Sequence, residues 1–180
     1  MHQNKQNLLL HTCCGPCSTA VLEKLAKDFQ PTLYFYNPNL DSEAEHTCRL
    51  TAQKTAADQF QAELITGPYD PATFTRAVAG LEAESEGGTR CTQCFVLRLE
   101  ETAKFAKEND FHIFTTTLSV SPRKNADLLN EIGAQMGERH GVDYLKADFK
   151  KENGYQRSVE LAKGLALYRQ NYCGCRYSLR

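Results

Sequence analysis

Three things are scarce in this chain of 180 residues. Long apolar runs are missing: near the start only Leu8-Leu9-Leu10 stands out, followed at once by His11 and, two residues on, Cys13. That run is too short for a signal sequence or a membrane span. Net charge is nearly absent, at −1, so overall charge argues neither for nor against a nucleic-acid partner. No internal repeat and no flexible linker divides the chain. A single domain over residues 1–180 is expected, and a domain of this size buries roughly 70% of its extended-chain surface. Such a core stands without covalent staples, and the expected setting is a reducing cytoplasm.

Cysteine, by contrast, is plentiful, at eight residues. In a small secreted chain that count reads as a disulfide framework, whereas in a reducing compartment clustered cysteines more often bind metal or carry redox chemistry. Seven of the eight fall in three short stretches: HTCCGPC at 11–17, CTQC at 91–94 and CGC at 173–175.

Short β-rich runs alternate with longer stretches of helical period, the pattern of a parallel sheet covered on both faces. Strands are expected at Asn7–His11, Thr32–Tyr36, Ala62–Thr66, His112–Leu118 and Val142–Lys146. Helices are expected from Pro16 to about Phe29, from an Asp41-Ser42 cap to about Phe60, from Cys91 to about Asn109, from Ser121-Pro122 onward, and over about Tyr155–Asn171. Residues 80–90, GLEAESEGGTR, are acidic and glycine-rich and read as a loop. The fold class is therefore α/β: a Rossmann-like three-layer sandwich with a five-stranded parallel sheet and a helical C-terminal segment. Sites in such sheets form at the carboxyl ends of strands where strand order reverses. With an order of 3-2-1-4-5, that point lies between the first and fourth strands, which HTCCGPC and TTTLSVSP follow.

Cys91 and Cys94 are three apart on a helix and share a face, so both sulfurs can converge on one centre. Cys13 and Cys14 are adjacent, but at a strand-to-helix turn made by Gly15 and Pro16 the backbone can bend both thiols to one point. The helix N-terminus that follows favours thiolate. Spacing alone leaves structural zinc, an iron–sulfur cluster and plain thiol redox open, although zinc leaves Cys17 and the terminal CxC unexplained. Cys173 and Cys175, one glycine apart, would close a strained and easily reduced ring, which suits a reversible two-electron store. Two free thiols or two further metal ligands are the alternatives. Cys17 is a candidate second-metal ligand or proton donor, and Cys48 a small buried apolar group. His11 reads as a hydrogen-bonded structural residue. Thr115, Thr116, Thr117 and Ser119 could line the crevice with hydroxyls, and Lys124 and Asn125 could hold a phosphate at a helix N-terminus.

Charge is unevenly spread. Residues 146–180 hold eight Lys and Arg against three acids, a net of +5, leaving −6 for the rest. That basic end interleaves Tyr155, Tyr168, Tyr172 and Tyr177, which suits a polyanion whose bases can meet aromatic faces. A solvated helix is the plainer explanation. Lys150, Lys151, Arg157 and Arg176 are the candidate phosphate contacts.

The stretches HTCCGPCS, YFYNPN, EGGTRCTQCFVLRLEETA, FTTTLSVSPRKN, DFKKENGYQRS and LYRQNYCGCRYS resemble, in order and across nearly the whole chain, the motifs of the QueH-type epoxyqueuosine reductases. The resemblance implies a nucleotide α-hydrolase-like fold and a cobalamin-independent oxidoreductase that reduces epoxyqueuosine at the wobble position of tRNA to queuosine. It further implies a 4Fe-4S cluster on Cys13, Cys14, Cys91 and Cys94, and a redox-active Cys173–Cys175 disulfide. A second mononuclear iron is also implied, with Cys17 and Asp148 as candidates, as are tRNA and an unidentified electron donor as partners. This chain has Gly15 where the family's motif often has Ala. A zinc-stabilised RNA-binding module without catalysis is the alternative from another class, and a metal-free thiol-disulfide oxidoreductase a third.

Overall fold

A computed structural model describes residues 5–179. Five parallel strands form one sheet in the order β3-β2-β1-β4-β5, as expected: β1 (Gln6–Thr12), β2 (Phe29–Phe35), β3 (Leu64–Thr66), β4 (Ile113–Thr116) and β5 (Asp143–Tyr144). The central β1 reads QNLLLHT, and its three consecutive leucines are all fully buried. A strand buried on both faces needs such an unbroken apolar run, because successive side chains point to opposite sides.

The two faces are covered separately. Leu8, Leu10 and Leu33 pack with Val21, Leu22 and Leu25 of α1 (Gly15–Leu25) and Ala57 of α2 (Glu43–Phe60). On the opposite face Leu9, Tyr34, Tyr36 and Phe114 meet α4 (Thr89–Glu108) and α5 (Ala126–His140). The short α3 (Pro71–Ala77) packs on α4, and α6 (Gly154–Gly164) on α1. Gly15 permits the close α1–α2 approach: a Cβ there would lie 2.4 Å from the Ala52 carbonyl oxygen. Glycine is thus required here by this chain's own helix spacing.

Several elements differ from the sequence expectation, among them α1, which ends at Leu25, β3, which begins at Leu64, and β5, which spans only Asp143–Tyr144. The α3 helix, capped by the Asp70 carboxylate accepting from Ala72 N–H, was not foreseen. Helix α5 starts at Ala126 rather than near Pro122, because the Asn125 side chain accepts from the N–H groups of Asp127 and Leu128. Strand β4 stops at Thr116 and turns into a 3-10 segment, Thr117–Val120. Helix α6 ends at Gly164, seven residues short of Asn171, and Ala166 beyond it takes a left-handed φ of 50°.

Phe114 is fully buried between β1 and α4/α5, with Tyr144 edge-on at 5.0 Å. Phe114→Ala is expected to lower unfolding free energy by about 3–5 kcal/mol. Urea unfolding of the variant checks this; an unchanged midpoint would mean that this face contributes little to the core.

Candidate functional site: a thiol-lined cleft

Strands β1 and β4 are neighbours, paired Leu9 with Phe114 and His11 with Thr116, while their following segments leave on different faces. A cleft opens at their carboxyl ends, as the reversal of strand order requires. It holds about 400 Å³, and Cys13, Cys17, Cys91, Cys94, Cys173 and Cys175 all line it. Three segments distant in sequence thus bring thiols to one hollow.

At the end of β1 the backbone bends as the Gly-Pro sequence suggests. Cys14 is the extended N-cap residue of α1 (φ −171°, ψ 156°), with proline in the first turn behind it. The bend brings Cys13 Sγ and Cys14 Sγ to 3.7 Å, and the sulfurs of Cys13, Cys14 and Cys17 all lie within 4.8 Å of one another. Among the described residues this is the one group of three or more potential metal-binding side chains so close together. Cys91 and Cys94 occupy successive turns at the start of α4; the Gly87 N–H donates to Cys91 Sγ at 3.2 Å. They line the same cleft. Cys94 and Cys175 share an apolar cluster with Phe74 and Val78.

Electrostatics divide the thiols. Hydrogen bonds from the Cys14 and Cys17 thiols hold Cys13 well below the ordinary thiol range, against its burial and with help from the charges of Arg98 and Lys124. Cys14 is pushed up to about 12, first by its hydrogen bond to Cys13, and Cys17 is raised for the same kind of reason. Burial also raises Cys94, to about 12, and Cys91. Burial opposes the charge on Lys124, yet the sulfurs of Cys173, Cys13 and Cys17 outweigh it and keep the ammonium protonated more firmly than usual.

Thr117, an expected crevice hydroxyl, and several residues not singled out from sequence, Gln170, Arg98 and Arg49 among them, hold this arrangement. Gln170 donates to Cys14 Sγ at 3.0 Å, and Thr117 Oγ1 sits 3.7 Å from Cys13 Sγ. Arg98, on α4 and fully buried, donates to Asn37 Oδ1 at 2.5 Å, and Asn37 donates in turn to the Thr12 carbonyl. Arg49 on α2, fully buried, pairs with Glu45 at 2.6 Å and donates to the carbonyls of Cys173 and Tyr172 at 3.0 and 3.2 Å. Tyr172 O–H reaches Asp41, and the Asp41 N–H donates to the Gly174 carbonyl. Gly174 has φ 122°, and a Cβ there would meet Leu40 at 2.5 Å; only glycine fits between the two cysteines. A sequence signal existed for Gln170 and Gly174, both inside LYRQNYCGCRYS, but none for Arg49.

His11 is structural, as expected. Its Nε2 donates to the Tyr36 carbonyl at 3.1 Å, so the neutral ring accepts at Nδ1 from Thr116 Oγ1 at 2.8 Å. Burial, then the charge of Arg98, lowers its pKa to about 3. Of the hydroxyls, Thr115 donates to the Leu145 carbonyl, Thr116 accepts from Leu118 N–H and Ser119 from Phe149 N–H; only Thr117 reaches the thiols. Asn125 lines the cleft and caps α5 through its side-chain oxygen.

Other expected site residues lie elsewhere. Asp148 is absent from the cleft lining and faces Lys150 Nζ at 3.0 Å and Lys151 Nζ at 3.9 Å. Lys150 is further engaged by the carbonyls of Ser119 and Lys124. Arg157 forms a two-pronged pair with Glu23 of α1, at 2.9 and 2.7 Å. Arg176 is exposed, and Arg180, counted in the basic end, lies outside the described residues. Cys48 is exposed on α2, not buried: the inward position there belongs to Arg49. All eight cysteines are free thiols, so the structure holds no Cys173–Cys175 disulfide. No helix among the described residues is long and apolar enough to cross a membrane.

The fold is a doubly wound, Rossmann-like parallel sheet, with a cysteine-lined cleft at its strand-order reversal whose clustered thiols could hold a metal. Two solved structures share the fold. The U34-tRNA thiolase NcsA from Methanococcus maripaludis, solved with its 4Fe-4S cluster, superposes with a TM-score of 0.59 at 13% identity, covering 99% of this chain and 63% of that one. A predicted subunit of tRNA methyltransferase from Methanocaldococcus jannaschii gives 0.57 at 14% identity, covering 88% and 74%. Sequence comparison is more specific. The chain belongs to the epoxyqueuosine reductase QueH family, whose profile matches residues 8–180. It is 39% identical to epoxyqueuosine reductase QueH of Streptococcus pyogenes over 98% of this chain and 71% of that protein. With its counterpart in Thermotoga maritima it shares 36% identity over 96% and 90%. The family is one of oxidoreductases, and the reading as a zinc-stabilised module without catalysis is not favoured.

Proposed function

We propose that this chain reduces epoxyqueuosine at the wobble position of tRNA to queuosine, the last step of queuosine formation, without cobalamin and in the cytoplasm. The observation that carries this is the convergence of six thiols from three segments on one cleft, in a chain matched almost end to end by epoxyqueuosine reductases.

The donor set fits an iron–sulfur cofactor, because Cys13, Cys14 and Cys17 gather within 4.8 Å of one another, further thiols line the same cleft, and soft thiolate is the preferred ligand of such clusters. Cys13, Cys14, Cys91 and Cys94 would hold a 4Fe-4S cluster, which when bound supplies electrons singly, as stepwise cleavage of a C–O bond requires. Cys17, one helical turn from Cys14, would donate a proton or ligate a second iron. Asp148 as a ligand to that iron would first have to leave its lysines.

Removing the epoxide oxygen consumes two electrons and two protons and releases water. Oxidation of the Cys173 and Cys175 thiols to a disulfide yields two electrons and two protons, so the terminal pair balances one turnover. An external reductant then restores the dithiol. Lys124, half-buried in the cleft lining, would supply positive charge to an oxyanion formed there as the ring opens.

The test is conversion itself. Protein purified without oxygen, given dithionite and tRNA carrying epoxyqueuosine, is expected to be brown and to remove one oxygen atom from the nucleoside, read by mass spectrometry. A colourless, zinc-loaded and inactive protein would overturn the proposal. Activity on small disulfides without metal would point to a thiol-disulfide oxidoreductase instead.

A further inference from the structure

The cleft's charged lining divides by depth. Arg49, Arg90 and Arg98 are buried and committed to internal partners: Arg49 to Glu45 and two carbonyls, Arg98 to Asn37, and Arg90 to the carbonyls of Leu81, Glu82 and Glu84. Arg123 and Arg169 are exposed, and among the described residues neither side chain has a hydrogen-bond or ion-pair partner. Lys124 lines the same cleft, half-buried and within electrostatic reach of the sulfurs of Cys173, Cys13 and Cys17. Only one carboxylate, Glu86, lines the cleft. Tyr155, in the first turn of α6, also lines it and is 39% exposed, one of three large apolar side chains so exposed among the described residues.

Two unpaired guanidinium groups and one open aromatic face, brought from three separate segments, surround the mouth of a hollow whose floor is thiols. We propose that Arg123 and Arg169 hold the backbone phosphates on either side of an extruded base, and that Tyr155 stacks on a neighbouring base of the same single-stranded loop. Guanidinium suits phosphate through its paired N–H donors, and an aromatic face accepts any base of a splayed loop. This assignment rests on the proposed tRNA substrate and moves its contacts away from Lys150 and Arg157, whose charges are already paired. Burying a reacting base while leaving its phosphates at the rim also spares the charged backbone from desolvation.

Binding of a synthetic anticodon stem-loop, followed by fluorescence anisotropy across a salt series, tests it. Arg123→Ala with Arg169→Ala is expected to weaken binding and to flatten the plot of log affinity against log salt by about 0.7 per residue. Arg123→Lys with Arg169→Lys should keep the slope. Tyr155→Ala should weaken binding by about fivefold or more with an unaltered slope, while Tyr155→Phe binds like the parent protein. Lys54→Ala with Lys104→Ala, exposed residues off the cleft, serve as the control and should change nothing. Parent-like slope in the double arginine variant, or parent-like affinity in Tyr155→Ala, overturns the assignment while leaving the tRNA substrate standing. Failure of the unmodified protein to bind the stem-loop overturns both.

Discussion

Cys14→Ser protein, purified without oxygen, is expected to emerge colourless, with iron content and epoxyqueuosine reduction both at background. Cys14 is almost completely buried, caps α1 and receives the Gln170 amide on its sulfur. Serine would keep the hydrogen bond but replaces a soft thiolate with a hard, weakly acidic hydroxyl that binds iron poorly. Cys94→Ser should behave alike from the opposite wall. Cys48→Ser, on the exposed face of α2, should remain brown and active, which separates loss of a ligand from loss of any cysteine. Colorimetric iron determination with visible absorption reads the result, and a brown, active Cys14→Ser protein would remove this residue from the cofactor site.

Cys173→Ser is expected to give the opposite split: full visible absorption, at most one round of reduction by pre-reduced protein, and no multiple turnover. Cys173 lines the cleft, while its carbonyl and that of Tyr172 are held by Arg49. The chain there is fixed by its backbone, so serine should leave the wall in place and remove only the thiol. Rapid-quench measurement of product per protein distinguishes one turnover from many. Sustained turnover in Cys173→Ser would show that the terminal thiols are spectators and that reductant reaches the substrate by another path.

Much of this was legible in the sequence. The leucine run of β1 announced a strand buried on both sides, and the adjacent cysteines before Gly-Pro announced a bend that gathers sulfurs, because no regular helix or strand points neighbouring side chains to one place. Elements set by side-chain capping were harder. Asn125 moved the start of α5, and Asp70 made a helix of a stretch with no apolar periodicity. The two-residue β5 and the early end of α6 depend on tertiary packing that composition does not carry. The net charge of the basic end says nothing of pairing, because Arg157 meets Glu23 only after α6 folds on α1. Burial of Cys48 is expected from residue type, whereas the face of α2 decides it: Cys48 is exposed, and Arg49 turns inward because Glu45 and two carbonyls satisfy it there.

The clasp that Arg49, Asp41 and Gln170 place on residues 170–174 has a consequence for biosynthesis. Residues 13–17 and the segment that Arg49 holds come from opposite ends of the described chain, so their thiols meet only once the intervening sheet has folded. Closing loops of that span is slow compared with local helix formation. A cluster site on Cys13, Cys14, Cys91 and Cys94, as proposed, would therefore be complete only in the folded domain.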